Sequence, residues 1–301
     1  MKVAVTGGTG YVGKLLVQAL LNRGDEVWVV SRFENKQNKK TKLHYVTWSQ
    51  LAESPVLLEG IDGIVNLAGE SINRRWNKEG KAAILNSRLN AARSIAKVVE
   101  ALNRKPSVVV NASGISIYGT DGSVAHDEWS PVAANDFLSS VVEKWEAAAD
   151  RIHVNRLIKL RIGLVLGMQD GAFPKMLLPY KLLTGGRIGS GKQWIPWIHE
   201  DDMVRLILFC LANPDIKGAV NACAPEPVTN DQFGRAIGKA MRRPHWFPVP
   251  GFLLKLALGE LSFLILEGSR AVPRKSLELG FEFRYNTVHE AMAQLLGRKN
   301  K

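Results

Sequence analysis

The chain has 301 residues, of which 46% are hydrophobic, and a formal net charge of +12. That length and apolar content suit one large domain or two intimate ones with a sizeable core, and exclude a disordered chain. No run of about 18 uncharged apolar residues occurs, so no transmembrane helix is expected.

The first element is a short apolar strand, Lys2-Val3-Ala4-Val5. It runs into Thr6-Gly7-Gly8-Thr9-Gly10-Tyr11-Val12-Gly13, and then into Lys14–Leu21, whose apolar residues recur at helical spacing. A glycine-rich turn between a strand and a helix lets backbone N–H groups and the helix N-terminus approach a pyrophosphate. Gly7, Thr9, Gly10, Tyr11, Val12 and Gly13 are therefore expected to bind a dinucleotide.

The second strand, Glu26–Val30, ends in Ser31-Arg32. In NAD sites a carboxylate roughly twenty residues past the loop takes the ribose hydroxyls. Here a guanidinium stands in that region. It would attract a 2′-phosphate and stack on adenine, so the expected cofactor is NADP(H), bound through Ser31 and Arg32. Glu34 is the alternative, an acidic group close enough to take the ribose itself.

Next come a third strand at Leu43–Trp48 and a fourth at Gly63–Gly69. A long helix follows over Lys78–Leu102, carrying Arg88, and a fifth strand over Ser107–Ser113. A second long helix spans about Asp136–Ile152, and Arg156–Gly163 is a sixth strand. Alternating strands and helices predict an α/β, Rossmann-type, doubly wound parallel sheet over 1–167. A helix near 202–213 and a strand near Ala219–Asn221 complete it within about 202–224. Segments 168–201 and 225–301 form a smaller, substrate-facing C-terminal region. Phe252–Leu258 is an apolar, amphipathic run that reads as core; contact with a membrane surface is the alternative.

Charge is concentrated at Lys36, Lys39, Lys40 and Lys42, and at Arg298, Lys299 and Lys301. No nucleic-acid motif accompanies these clusters, so they read as solvated loops with some pull on an anionic cofactor, and no nucleic acid is expected as a partner. The two cysteines, Cys210 and Cys223, do not require a disulfide. With the opening strand and glycine loop in place of a signal peptide, they point to a reduced compartment, the cytoplasm. The six histidines are scattered without ligand spacing, so no metal site is expected.

The loop, Asn66-Leu67-Ala68-Gly69, Ser113 followed by Tyr118-Gly119, and Trp197-Ile198-His199-Glu200-Asp201-Asp202 resemble the extended short-chain dehydrogenase/reductase superfamily. Glu70, Arg75-Trp76, Ser87-Arg88, Trp145-Glu146-Ala147-Ala148 and Ile188-Gly189-Ser190-Gly191 narrow the resemblance to its atypical epimerase-like branch, over essentially the whole chain. The resemblance implies NADP(H) binding, cofactor contacts at Leu67, Ala68 and Gly69, and an oxidoreductase or epimerase acting on a small molecule as monomer or homodimer. It brings no defined substrate. Some similar proteins are linked to bacterial or plastid division, which leaves a second reading: an NADP(H)-sensing regulator acting through a protein partner.

In the superfamily a Tyr exchanges a proton with the substrate, a Lys four residues on lowers its pKa, and a Ser holds the reacting oxygen. Ser113 matches the Ser. Counting back from Glu146, the Tyr position is Leu138 and the Lys position Val142, and neither moves a proton. Lys144, two positions further on, is turned about 200° around the helix. Glu70, Tyr118 and His199 are the candidates to fill the gap. Their structural alternatives are a bond to the next loop, a pocket wall and a loop fastener. Arg88 and Arg161 are expected to clamp a phosphate or an anionic substrate, with ion pairing to an acid as the alternative.

Overall fold

The computed structural model describes residues 1–34 and 42–297. Lys36, Lys39, Lys40, Arg298, Lys299 and Lys301 lie outside the described residues. The central sheet has seven strands: β1 (Lys2–Thr6), β2 (Glu26–Ser31), β3 (Leu43–Thr47), β4 (Gly63–Asn66), β5 (Val108–Gly114), β6 (Arg156–Ile162) and β10 (Gly218–Ala222). Their order is β10-β6-β5-β4-β1-β2-β3, and every pairing is parallel. Strand order reverses between β1 and β4, where open α/β sheets leave a crevice beyond their carboxyl ends.

Helices cover both faces. Leu16 and Leu20 of α1 (Tyr11–Arg23) and Val204, Ile207 and Leu211 of α7 (Glu200–Ala212) bury one side of the sheet with Val3, Val5 and Val27. Each fully buried Leu contributes about 1.5–3 kcal/mol. On the other side, Leu51 of α2 (Trp48–Glu53) and Ile95, Val98 and Val99 of α3 (Lys78–Ala101) pack on Ala4, Ile64 and Val109. Beside them, Trp145 and Ala148 of α4 (Phe137–Ala149) meet Ala92 and Ala112.

The remaining chain builds a smaller lobe. Two short pairings, parallel β7 (Leu164–Leu166) with β9 (Trp197–His199) and antiparallel β8 (Trp194–Ile195) with β11 (Val228–Thr229), frame it. Its core unites Phe173 of α5 (Phe173–Met176), Tyr180 of α6 (Leu178–Lys181), Phe233 of α8 (Asn230–Met241) and Met292 of α12 (Val288–Leu296) around Trp197. Between α8 and α12 lie α9 (Gly251–Leu258), α10 (Phe263–Leu266) and α11 (Arg274–Glu278).

Three local features depart from the sequence expectation. The fourth strand stops at Asn66, because the Ala68 N–H turns to the Thr6 hydroxyl, 3.2 Å away. The third stops at Thr47, which caps α2 reciprocally with Gln50. The third departure is larger. Phe252–Leu258 is not core: no residue of α9 is buried. Cys210 and Cys223 are buried free thiols.

Candidate functional site

The glycine-rich turn joins β1 to α1 with almost no spare room. A Cβ on Gly13 would stand 2.2 Å from the Gly7 carbonyl oxygen, and one on Gly7 2.7 Å from that of Leu67. Gly7 also has φ +66°, which favours glycine. Gly10 is the N-cap of α1 and has no side chain to cap it, so the first N–H groups of the helix are left to a ligand or solvent.

A buried polar thread anchors this turn to the neighbouring strands. The Thr6 hydroxyl donates to Asn66 Oδ1 at 2.5 Å, and Asn66 Nδ2 donates to Asn111 Oδ1 at 2.6 Å. All three residues are fully buried. The thread ties β1, β4 and β5 in register and fixes the Leu67-Ala68-Gly69 turn beside Gly7. Buried polar groups persist in such a place only when paired.

Beyond Gly69, Glu70 is held from both sides. Its N–H donates to Ser87 Oγ at 3.0 Å, and its carbonyl accepts from Arg88 Nη1 at 3.0 Å. Arg88 also donates to the Ile84 carbonyl and lies over the Trp145 ring, 5.2 Å from its centroid. Burial lowers the Arg88 guanidinium to about 10, and the Glu70 charge opposes that shift. Arg88 therefore pairs with no carboxylate directly and keeps its charge at the edge of Gly69.

The Glu70 carboxylate reaches back across the tip of β1 to Arg32 Nη1, 3.0 Å away, with Arg74 Nη1 at 4.0 Å. Arg32 stands just past β2 and its side chain is 73% exposed. The Ser31 hydroxyl donates to the Phe33 carbonyl. Glu70 follows β4, the neighbour of β5, but its carboxylate is engaged by Arg32 beyond β2, while the Ser113 hydroxyl bonds Glu146 instead. Among the described residues, no ion pair joins Glu34 to Arg32.

Tyr11 leaves the turn in another direction. Its hydroxyl donates to Glu200 Oε2 at 2.5 Å, and burial plus that carboxylate push the phenol far above its ordinary value. Gly167 passes beneath the pair, where a Cβ would overlap the Tyr11 oxygen at 1.5 Å. Glu200 was missed by sequence reasoning, since an acid in the first turn of a helix reads as dipole compensation.

Ser113, Tyr118 and Arg161 do converge, in a closed network. Ser113 Oγ donates to Glu146 Oε1 at 2.6 Å. Arg161 forks onto both Glu146 oxygens at 2.8 and 3.0 Å, and its Nη1 donates to the Tyr118 oxygen at 2.8 Å. Tyr118 in turn donates to Asn221 Oδ1 at 2.8 Å. Ser113, Glu146, Arg161, Tyr118 and Asn221 are all buried. Burial opposes the Glu146 charge, but the Arg161 fork and the Ser113 hydroxyl hold its carboxyl below the usual range. Burial pushes Tyr118 to about 12 despite Arg161 beside it.

For two sequence expectations this network favours the structural alternative. Arg161 is not an open anion clamp, because its fork is filled by Glu146. Tyr118 is not poised for proton exchange near neutrality, because burial outweighs the one cation that would lower its pKa. Glu146 and Asn221 were missed as functional residues. The available signal for Glu146 was a carboxylate on the apolar stripe of α4, between Val142 and Ala149.

The face of α4 that would carry the Tyr and Lys is packed instead. Leu138 lies among Trp76, Ile84 and Val141, and Val142 among Ile115, Ile117 and Tyr118. Lys144 is exposed, as its angular position implied. His199 is a fastener. Its Nδ1 accepts from the Asp201 N–H at 3.0 Å, its Nε2 meets Gln294 Oε1 at 2.9 Å, and its ring packs on Tyr285.

The model of the NAD dependent epimerase/dehydratase family matches residues 3–223. The chain belongs to that family. Residues 249–295 match a second model, a domain of unknown function designated DUF1731. Epimerase family protein YfhF of Bacillus subtilis is 40% identical over 299 residues, covering 98% of each chain. The chloroplastic SDR39U1 homologue of Arabidopsis thaliana is 37% identical, covering 98% of this chain and 87% of the relative. The crystal structure of human epimerase family protein SDR39U1 with NADPH superposes with a TM-score of 0.91 at 35% identity, covering 99% of this chain and 100% of that one. The α/β Rossmann architecture and the epimerase-like branch read from the sequence are those of this family.

Proposed function

We propose that the protein binds NADP(H) in the crevice between the Gly7–Gly13 turn and the Leu67–Gly69 turn. Arg32 takes the 2′-phosphate, and Ser31 closes the adenosine end. The carrying observation is the Gly7–Gly13 cradle, which has no room for a Cβ, next to an exposed guanidinium at the tip of β2. The match to a relative crystallised with NADPH supports the same cofactor. Arg88, charged and without a carboxylate bonded to it, offers a second positive group beside Gly69.

The reaction class that fits is oxidoreduction or epimerisation of a small molecule. The nicotinamide, when bound, supplies hydride chemistry. The chain's own part is unusual. The Ser113 hydroxyl donates its hydrogen bond to Glu146, so its oxygen has only lone pairs left to offer. That hydroxyl suits accepting from a substrate alcohol better than donating to a carbonyl. Glu146 stays an acceptor because Arg161 keeps it ionised. The proton that leaves in such a reaction has no side-chain carrier on α4, and water or a substrate group takes it.

The test is a titration of NADPH and NADH against the protein, followed by a screen of NADP+ reduction with alcohols and sugar nucleotides. NADPH binding much tighter than NADH binding is expected, with Ser113→Ala lowering any turnover. Absence of NADPH binding overturns the reading. Binding without turnover would favour the NADP(H)-responsive regulator.

A further inference from the structure

The smaller lobe carries a ledge that its own packing does not explain. Segment 182–189 runs beside 246–251. The Trp246 and Phe247 N–H groups both donate to the Gly185 carbonyl, at 2.9 and 3.1 Å. The Val249 N–H donates to the Arg187 carbonyl, and the Gly189 N–H returns to Val249, both at 2.9 Å. Helix α9 continues from this ledge at Gly251, and its start lies against Leu266 of α10.

Large apolar side chains stand out from the ledge and the helix. Leu256 is 84% exposed, Leu182 72%, Phe252 68% and Trp246 67%, with Leu183 and Phe247 beside them. Leu183 does so at φ +61°, a conformation that costs a leucine energy, while its carbonyl accepts from the Trp246 indole at 2.9 Å. A monomer rarely leaves so many apolar groups together in water without a use for them.

Along the chain, the charges that flank them have one sign. Residues 171–199 contain four Lys or Arg and no Asp or Glu; residues 232–259 contain five and none. All nine cations are exposed. Lys181, Arg187, Lys192, Arg242, Arg243 and Lys255 lie next to or between the apolar groups in the chain, and none has an ion-pair partner among the described residues. Four acids stand at the ends of these segments, each with a partner: Asp170 accepts from the Gly171 N–H, Glu200 from Tyr11, Asp231 pairs with Arg235 and His245, and Glu260 with Lys81.

We infer that this face docks on an anionic lipid bilayer. Trp, Phe and Leu side chains enter the acyl boundary while Lys and Arg stay at the headgroups, the distribution of an interfacial helix that lies on a membrane without crossing it. Basic groups beside an anionic leaflet add electrostatic attraction that salt screens. A nucleic acid would use the cations but leave Leu256, Leu182 and Leu183 in water. A second copy of the chain would bring the same positive charge against itself. Of these occupants, the bilayer satisfies both the apolar and the charge pattern.

The test uses the full chain and sedimentation with vesicles of phosphatidylglycerol and phosphatidylcholine, against vesicles of phosphatidylcholine alone. Partition at least about tenfold stronger onto the anionic vesicles is expected, falling steeply in high salt. Phe252→Gln/Leu256→Gln should weaken that partition by about tenfold or more. Both side chains project into solvent, so the double variant keeps its melting temperature and its NADPH affinity. No partition, equal partition onto both vesicle types, or undiminished partition of the variant overturns the proposal. So does a dimer in sedimentation velocity that the double variant abolishes, or preferential capture of an oligonucleotide. Vesicle binding is read without cofactor, so it stands or falls separately from the NADP(H) reading.

Discussion

The Ser113 hydroxyl donates a hydrogen bond to Glu146 across 2.6 Å, from the end of β5 to a buried carboxylate on α4. The residue that matches a catalytic serine by position is thereby oriented by a group its sequence neighbourhood does not reveal. Glu146 is in turn bound to Arg161, so the hydroxyl, the carboxylate and the guanidinium behave as one unit.

Glu146→Gln should destabilise the fold by about 3 kcal/mol or more, because it leaves the buried Arg161 charge uncompensated. Urea denaturation measures this, and a loss below about 1 kcal/mol would show that Arg161 is paired otherwise. The pH dependence has a definite sign. The folded carboxyl lies below its usual range, so its stabilising contribution is full above that range and is lost as pH falls through the folded value. Wild type should lose stability on acidification more steeply than Glu146→Gln.

Tyr118 should remain protonated until about pH 12. Its raised pKa stabilises the fold below pH 10 relative to higher pH, and that contribution declines as pH rises from 10 through 12. Phenolate absorbance during alkaline titration, compared with Tyr118→Phe, gives the value. The same variant should cost about 1–3 kcal/mol, since Arg161 Nη1 and Asn221 Oδ1 lose a partner. NADPH affinity should not change.

Arg32→Glu should weaken NADPH binding by about tenfold or more and relatively favour NADH, because a phosphate would then face a carboxylate. Equal NADPH affinity in variant and wild type would end the 2′-phosphate assignment. Glu70→Gln should do the reverse and tighten NADPH binding a few-fold. An exposed ion pair such as Arg32–Glu70 is worth about 0.2–1 kcal/mol, and the phosphate must compete with it. A loss of affinity for both cofactors would instead make Glu70 a support for Arg32.

Gly13→Ala should abolish cofactor binding or folding, since its methyl group would meet the Gly7 carbonyl at 2.2 Å with only backbone to move. Calorimetric titration of NADPH with the soluble fraction of the variant reads this directly. Retained affinity would mean the turn is looser than its geometry indicates.

Much of the site was legible because it is local. The glycine spacing, the strand before it and the helix after it lie within about twenty residues, and their steric logic needs no distant partner. The absence of Tyr and Lys at Leu138 and Val142 was equally plain, because helical period alone places both on one face. The roles of Glu70, Tyr118 and Arg161 were not legible. Each depends on a partner 15–103 residues away: Arg32 for Glu70, Glu146 for Arg161, and Asn221 for Tyr118.

The sequence by itself determined the parallel α/β sheet, the nucleotide turn, the cationic tip of β2 and the missing proton carriers, since these follow from periodicity and from short-range sterics. Only the tertiary structure decided which charges face one another. It turned Glu70 toward Arg32, closed Arg161 on Glu146 and left α9 uncovered. Pairing and exposure depend on where elements meet in space, and hydrophobic pattern cannot tell a helix that is covered from one that is waiting for a surface.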